Sequence, residues 1–177
     1  PIQLANFTAA IANKGFFFTP HILKEVNKDP IDFPNFTEKK QTTIDKEHFN
    51  PVIEAMHEVF KTGTGSRVQV KGIEICGKTG TSENYAVVNG KRIKLEDHSI
   101  LVAFAPKDNP KIAIAIFVEN GGYGSTIAAP ITSLMIEKYL NGEISKATKY
   151  RETNMLNISL QSEYDKLIPK TEEIASG

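Results

Sequence analysis

The stretch GIEICGKTGTSENYAVVNG, residues 72 to 90, carries two overlapping patterns that could do chemistry. Gly72 to Thr79 fits G-x-x-x-x-G-K-[ST], a loop whose backbone N–H groups and lysine cradle nucleotide phosphates. Lys78-Thr79-Gly80 is also a Lys-Thr-Gly motif, which belongs to serine acyl-transfer enzymes that work through a covalent ester. The first pattern would make the chain a nucleotide binder, and the second would make it one wall of an acyl-transfer site.

Other reactive residue types are sparse. Cys76 lies between Ile75 and Gly77 with no base beside it, so a buried packing role is expected rather than a thiol nucleophile. His21, His48, His57 and His98 are scattered without ligand spacing, so no metal site is expected. His98 reads as a packing or solvent-facing histidine. Glu119 to Gly124 resembles a phosphate cradle in its glycines, though glycine at positive φ accounts for such a stretch without a ligand. Lysines plus arginines balance aspartates plus glutamates at 21 each, so nucleic acid is not an expected partner. No run approaches the roughly 20 apolar residues of a membrane span.

These residues must be positioned by ordinary globular elements, since 177 residues at 40% hydrophobic and 24% charged suffice for one core. Leu4, Phe7 and Ile11 mark a first helix over Ile2 to Asn13, stopped at Gly15. Phe16 to Val26 reads as extended, with Phe16, Phe17 and Phe18 in the core, and Asn27 to Thr42 as surface loop. Phe49, Val52, Ile53, Met56, Val59 and Phe60 form the clearest helical stripe, capped by Asp45 or Asn50 and ended at Gly63-Thr64-Gly65. Ile73 to Ser82 reads as a strand running into a polar loop. Ile100 to Ala105 and Ile112 to Val118 are apolar runs joined by PKDNPK, a hairpin whose two faces must both be covered. Ile127, Ile131, Leu134, Met135 and Lys138 lie along one side of a final helix, with Ile136, Tyr139 and Leu140 widening the stripe until Asn141-Gly142 stops it. Residues 143–177 read as a polar tail with one loose helix around Leu156 to Leu167.

The hairpin weighs against a phosphate loop. Parallel strands need a crossover of a dozen or more residues, and the six-residue turn from Pro106 to Lys111 permits only antiparallel pairing. The segment Ile73 to Cys76 is also β-branched where such a loop is pliable, and no amphipathic helix follows Thr79. Nucleotide binding therefore remains only a minor alternative.

Three longer segments point elsewhere. PIQLANFTAAIANKGFFFTPHILKEV, GKTGTSEN and DHSILVAFAPKDNPKIAIAIFVENGGYGSTIAAPI resemble, in order, the segment before the third motif, the third motif, and the last two strands and C-terminal helix of class B penicillin-binding proteins. The resemblance is strongest to the elongation-type penicillin-binding protein 2 and covers residues 1–142. It implies an α+β fold, an antiparallel sheet flanked by helices, of the penicillin-binding transpeptidase and serine β-lactamase kind. In that family the sheet has five strands, and the third motif lies on an edge strand.

By that resemblance Lys78 supplies positive potential, and the Thr79 and Thr81 hydroxyls bind the terminal carboxylate of a D-Ala-D-Ala stem peptide or of a β-lactam. Gly80 lets substrate lie close, and the Thr81 backbone N–H is one oxyanion donor. No cofactor is implied. The implied parent is a peptidoglycan D,D-transpeptidase anchored in the bacterial inner membrane, with this domain outside it and cell-wall elongation proteins as partners.

The family's nucleophile is the serine of a Ser-x-x-Lys motif, supported by a Ser-x-Asn motif. None of the nine serines has lysine at the third following position. Ser82-Glu83-Asn84 has the second pattern's letters but lies where the family ends its strand, so it reads as coincidence. With its Pro1-Ile2 opening, the chain is expected to be the C-terminal part of a transpeptidase domain, inactive without the N-terminal half. The edge of Ile112 to Val118 is then expected to be uncovered. A non-catalytic interaction or sensor module of the same fold stays open as an alternative.

Overall fold

The computed structural model describes residues 1–30 and 33–168. Helix α1 spans Ile2–Ala12. Two-residue strands follow, β1 at Phe16–Phe17, β2 at Glu25–Val26 and β3 at Asp29–Pro30, with helix α2 at Pro34–Thr37 and strand β4 at Lys40–Gln41. β1 pairs with β4, and β2 with β3. The expected extended stretch and loop are thus an arm of two small antiparallel ribbons. Phe16 and Phe17 are only half-buried and Phe18 is exposed, because a two-strand ribbon offers little to pack against.

Helix α3 spans Phe49–Lys61, entered through a short 3₁₀ turn, and buries Phe49, Ile53, Met56 and Phe60. Neither Asp45 nor Asn50 caps it: the N-cap position is His48, with no side-chain cap bond. The 3₁₀ turn feeds straight into the helix and leaves no extended capping residue.

Strand β5 spans Cys76–Ser82, starting three residues later than expected because Ile73 is used in an isolated bridge to Val70. The polar loop expected after it is a second hairpin, β6 at Tyr85–Val88 and β7 at Lys91–Lys94, closed at Asn89-Gly90, both with positive φ. That pair suits the tight hairpin turn whose twist matches its strands.

Strands β8, His98–Ala105, and β9, Ile112–Val118, form the predicted antiparallel hairpin. The main sheet has the order β5-β8-β9, with three strands among the described residues, so β5 and β9 are its edges. Helix α4 spans Ala128–Asn141 and ends on Gly142 in the left-handed conformation. Helices α5, Lys149–Leu156, and α6, Gln161–Asp165, replace the single late helix.

Both faces of the sheet are covered. On one, Leu101, Ala103 and Ala105 pack with Ala128, Ala129 and Ile136 of α4. On the other, Phe104 and Cys76 pack with Ala12 of α1 and with Phe49, Ile53 and Met56 of α3. The helix stripes are less regular than their periodicity suggests. α1 buries Thr8, Ala10 and Ala12, while Leu4 and Phe7 stay exposed. α4 buries Ala128, Ala129, Thr132, Ser133, Leu134 and Ile136, while Met135 and Lys138 face out. Small side chains let α1 sit close to the sheet and turn its larger apolar residues away, whereas α4 buries Leu134 and Ile136 beside its small residues.

The C-terminal segment is tied down by polar contacts. Arg151 donates to the carbonyls of Val68 and Gln69 at 3.2 and 3.0 Å. Buried Glu137 accepts from the Thr148 hydroxyl, and buried Glu163 accepts from the Glu96 backbone N–H at 2.9 Å. Such bonds compensate the desolvation of both carboxylates.

Candidate active site

The Lys-Thr-Gly motif lies on the free edge of the sheet. Lys78, Thr79, Gly80 and Thr81 pair with Val102, Leu101, Ile100 and Ser99 of β8. Alternation along a strand puts Lys78 and Gly80 on one face, Thr79 and Thr81 on the other. The four residues therefore do not all project into one groove.

The Lys78 side chain borders an apolar groove shared with Phe7, Ile11, Met56, Val59 and Val102. Its ammonium bends back around the edge and donates to the Thr79 carbonyl at 2.8 Å. Among the described residues no carboxylate forms an ion pair with Lys78, so its charge is uncompensated. The Thr79 hydroxyl lies 2.9 Å from that of Thr64, and Thr81 is exposed. A cation and two hydroxyls along one accessible strand are the chemistry a carboxylate requires.

The Gly80 backbone is approached by a second segment of the chain. A Cβ on Gly124 would come within 2.5 Å of the Gly80 carbonyl oxygen, so the connection after β9 lies directly against this part of β5. Here a glycine permits a close approach of two backbones.

A phosphate loop does not fit this geometry. The strand continues through Thr79 to Ser82, no helix starts at the lysine, and both neighbouring pairings are antiparallel.

The remaining candidates have structural roles. Cys76 is fully buried, and burial pushes its thiol up to about 12. The His98 ring accepts from the Asn120 N–H at 3.2 Å and packs on Phe117. Asn84 donates to the Asn120 side chain at 2.6 Å, tying the base of the β6–β7 hairpin to the connection after β9. The Glu119 to Gly124 glycines serve that connection, where the Gly122 N–H reaches the Asp97 carbonyl at 2.7 Å.

In the sequence, Thr64 reads only as part of a helix stop. Its contact with Thr79 crosses fifteen positions, and no local pattern signals it.

The penicillin binding protein transpeptidase domain profile matches residues 1–137. The peptidoglycan D,D-transpeptidase MrdA of Haemophilus influenzae is 28% identical over 98% of this chain and 28% of its own length. The MrdA protein of Acinetobacter baumannii is 36% identical over 72% of the chain and 20% of its own length. Among solved structures, Pseudomonas aeruginosa PBP2 in complex with WCK 5153 matches with a TM-score of 0.64 at 32% identity, over 83% of this chain and 31% of that one. Penicillin-binding protein A of M. tuberculosis, an imipenem acyl-enzyme complex, matches with a TM-score of 0.62 at 27% identity, over 77% of this chain and 29% of that one. The architecture is that of penicillin-binding transpeptidase domains, an antiparallel sheet between helices. The chain belongs to the penicillin-binding protein transpeptidase family and spans less than a third of the length of these relatives.

Proposed function

We propose that this chain is the carboxylate-binding side of a peptidoglycan D,D-transpeptidase that cross-links stem peptides through a serine acyl-enzyme. The observation that carries the reading is the edge of β5, where Lys78, without an ion-pair partner among the described residues, stands next to Thr79 and Thr81. In this reading the two hydroxyls hold the terminal carboxylate of a D-Ala-D-Ala stem peptide, or that of a β-lactam, and Lys78 attracts it. The Thr81 backbone N–H serves as one oxyanion donor. Supporting that role, the Thr79 carbonyl accepts Lys78 on the strand's open side, and the period of two turns the Thr81 backbone the same way.

The nucleophile comes from the N-terminal half of the domain. Its seat is supported by three surfaces: the apolar groove at Lys78, the outer row of α4 beside Ile112 and Ile144, and the open edge of β9. The parent protein sits in the bacterial inner membrane with this domain outside, and works with the cell-wall elongation proteins.

Fluorescent penicillin tests the proposal. The isolated chain is expected to remain unlabelled, and the chain joined to its upstream Ser-x-x-Lys region is expected to be labelled stoichiometrically. Covalent labelling of the isolated chain would overturn its inactivity. Failure of the joined protein to label would overturn the transpeptidase reading and favour a non-catalytic module.

A further inference from the structure

The hydroxyl of Thr64 is used differently from those of the threonines in or at the end of helices. Thr8, Thr37, Thr62, Thr132 and Thr153 each donate to a carbonyl four residues back, in or at the end of their own helix. Thr64 instead bridges from the end of α3 to β5, with its oxygen 2.9 Å from that of Thr79. Such a bond between two exposed hydroxyls adds little stability, since water could replace it. Its interest lies in what it does to the Thr79 proton.

The segment carrying Thr64 is held firmly. The Gly63 N–H donates to the Glu58 carbonyl and the Gly65 N–H to the Val59 carbonyl, both at 2.9 Å, and the Ser66 N–H to the Gly63 carbonyl at 3.1 Å. A Cβ on Gly63 would lie 3.0 Å from the Val59 backbone, and one on Gly65 would lie 3.1 Å from the Phe60 ring. The two glycines thus let the turn lie flush on the last turn of α3, a helix whose Met56 packs beside Cys76 at the start of β5. Thr64 is presented to Thr79 by a fixed support.

We propose that Thr64 is a positioning residue for carboxylate recognition: it donates its proton to Thr79 Oγ1 and so leaves the Thr79 proton aimed at the bound carboxylate. The inference rests on the proposed role of Thr79 as a carboxylate ligand. A hydroxyl has one proton and two acceptor sites. If Thr79 spends its proton on Thr64, it has none for an anion; if Thr64 is the donor, Thr79 is free to give its own. A bound carboxylate selects the second arrangement, and the chain of two hydroxyls polarises the outer donor. Lys78 cannot supply this orientation, because it contacts the Thr79 carbonyl rather than its hydroxyl.

The test uses the full-length protein with its own upstream serine, a penicillin, and the methyl ester of the same penicillin. Thr64→Val is expected to lower the second-order acylation rate for the free acid by about tenfold while changing the ester's rate by less than about twofold. Thr64→Ser, which keeps the donor, is expected to restore the acid-to-ester ratio to near that of the unaltered protein. Equal losses for acid and ester in Thr64→Val, or an unchanged ratio, would overturn the proposal. If Thr79→Val also leaves the ratio unchanged, the carboxylate role of Thr79 itself fails, a result distinct from failure at Thr64 alone.

Discussion

Helices α1 and α4 each have an inner and an outer row, and the two rows are covered differently. The inner rows carry Thr8 and Ala12 on α1, and Ala128, Ala129, Thr132, Ser133 and Ile136 on α4, all buried against the rest of the fold. The outer rows carry large apolar side chains, and Phe7 and Tyr139 are each 61% exposed. On an ordinary surface helix the large apolar residues face the core. On α1 that pattern is reversed, and on α4 large apolar residues lie on both sides, Leu134 and Ile136 inside and Met135 and Tyr139 outside, so each helix presents a second apolar side. The sheet covers the close-packed side, and the domain's upstream half is proposed to cover the other.

Core truncation gives the largest expected effect. Ile136→Ala removes a fully buried side chain from the α4 face and is expected to cost about 2–5 kcal/mol in urea unfolding, with or without the upstream half. Phe7→Ser is expected to change the isolated chain by no more than about 0.5 kcal/mol. Joined to the upstream half, the same substitution is expected to cost about 2 kcal/mol or more, because the ring is then buried. Should Phe7→Ser cost the isolated chain as much as Ile136→Ala, the distinction between the rows fails.

The same pattern explains what could be read in advance. The β8–β9 hairpin was legible because two continuous apolar runs flank a Pro/Asp/Asn turn, and α3 because four of its stripe residues, Phe49, Ile53, Met56 and Phe60, are large and meet the inner side of the fold. On α1 and α4, periodicity located an apolar side correctly but could not say which side meets the sheet, since small residues carry little periodic signal. The β6–β7 hairpin was missed even though Asn89-Gly90 between Val87-Val88 and Lys91 is a strong turn pattern. Its strands are short and neither has a buried residue, so the segment after Ser82 reads as a polar loop. At the candidate site, Lys78, Thr79, Gly80 and Thr81 were legible as a motif on an edge strand. Thr64 was not, because only the packing of α3 on β5 brings it to Thr79.

Cys76 probes the same comparison from inside. It belongs to the inner cluster of Phe49, Ile53, Met56 and Phe104, and Met56 of that cluster also borders the outer groove at Lys78. An ordinary thiol ionises near 8.5, whereas burial pushes this one up to about 12. At pH 8 the folded chain is expected to resist iodoacetamide and the unfolded chain to be alkylated fully, as read by mass spectrometry. Rapid modification of the folded chain would mean that the groove admits water to the inner cluster.

The C-terminal segment provides the smallest effect and a third kind of contact, polar rather than apolar. The Glu163 carboxyl is held below the usual range first by Lys166 and then by the Glu96 N–H. A carboxyl lowered in the folded state stabilises it above the ordinary glutamate range of about 4.3, and loses that contribution as pH falls through the lowered value. Glu163→Gln keeps an acceptor for the Glu96 N–H but removes the charge. It is expected to lower the melting temperature by about 2 °C at pH 7, with the difference closing as the solution is acidified below pH 4. Lys166 is partly exposed, so salt is expected to shrink the effect further. A difference independent of pH would show that α6 is held by packing alone, and would place the C-terminal segment with the inner rows.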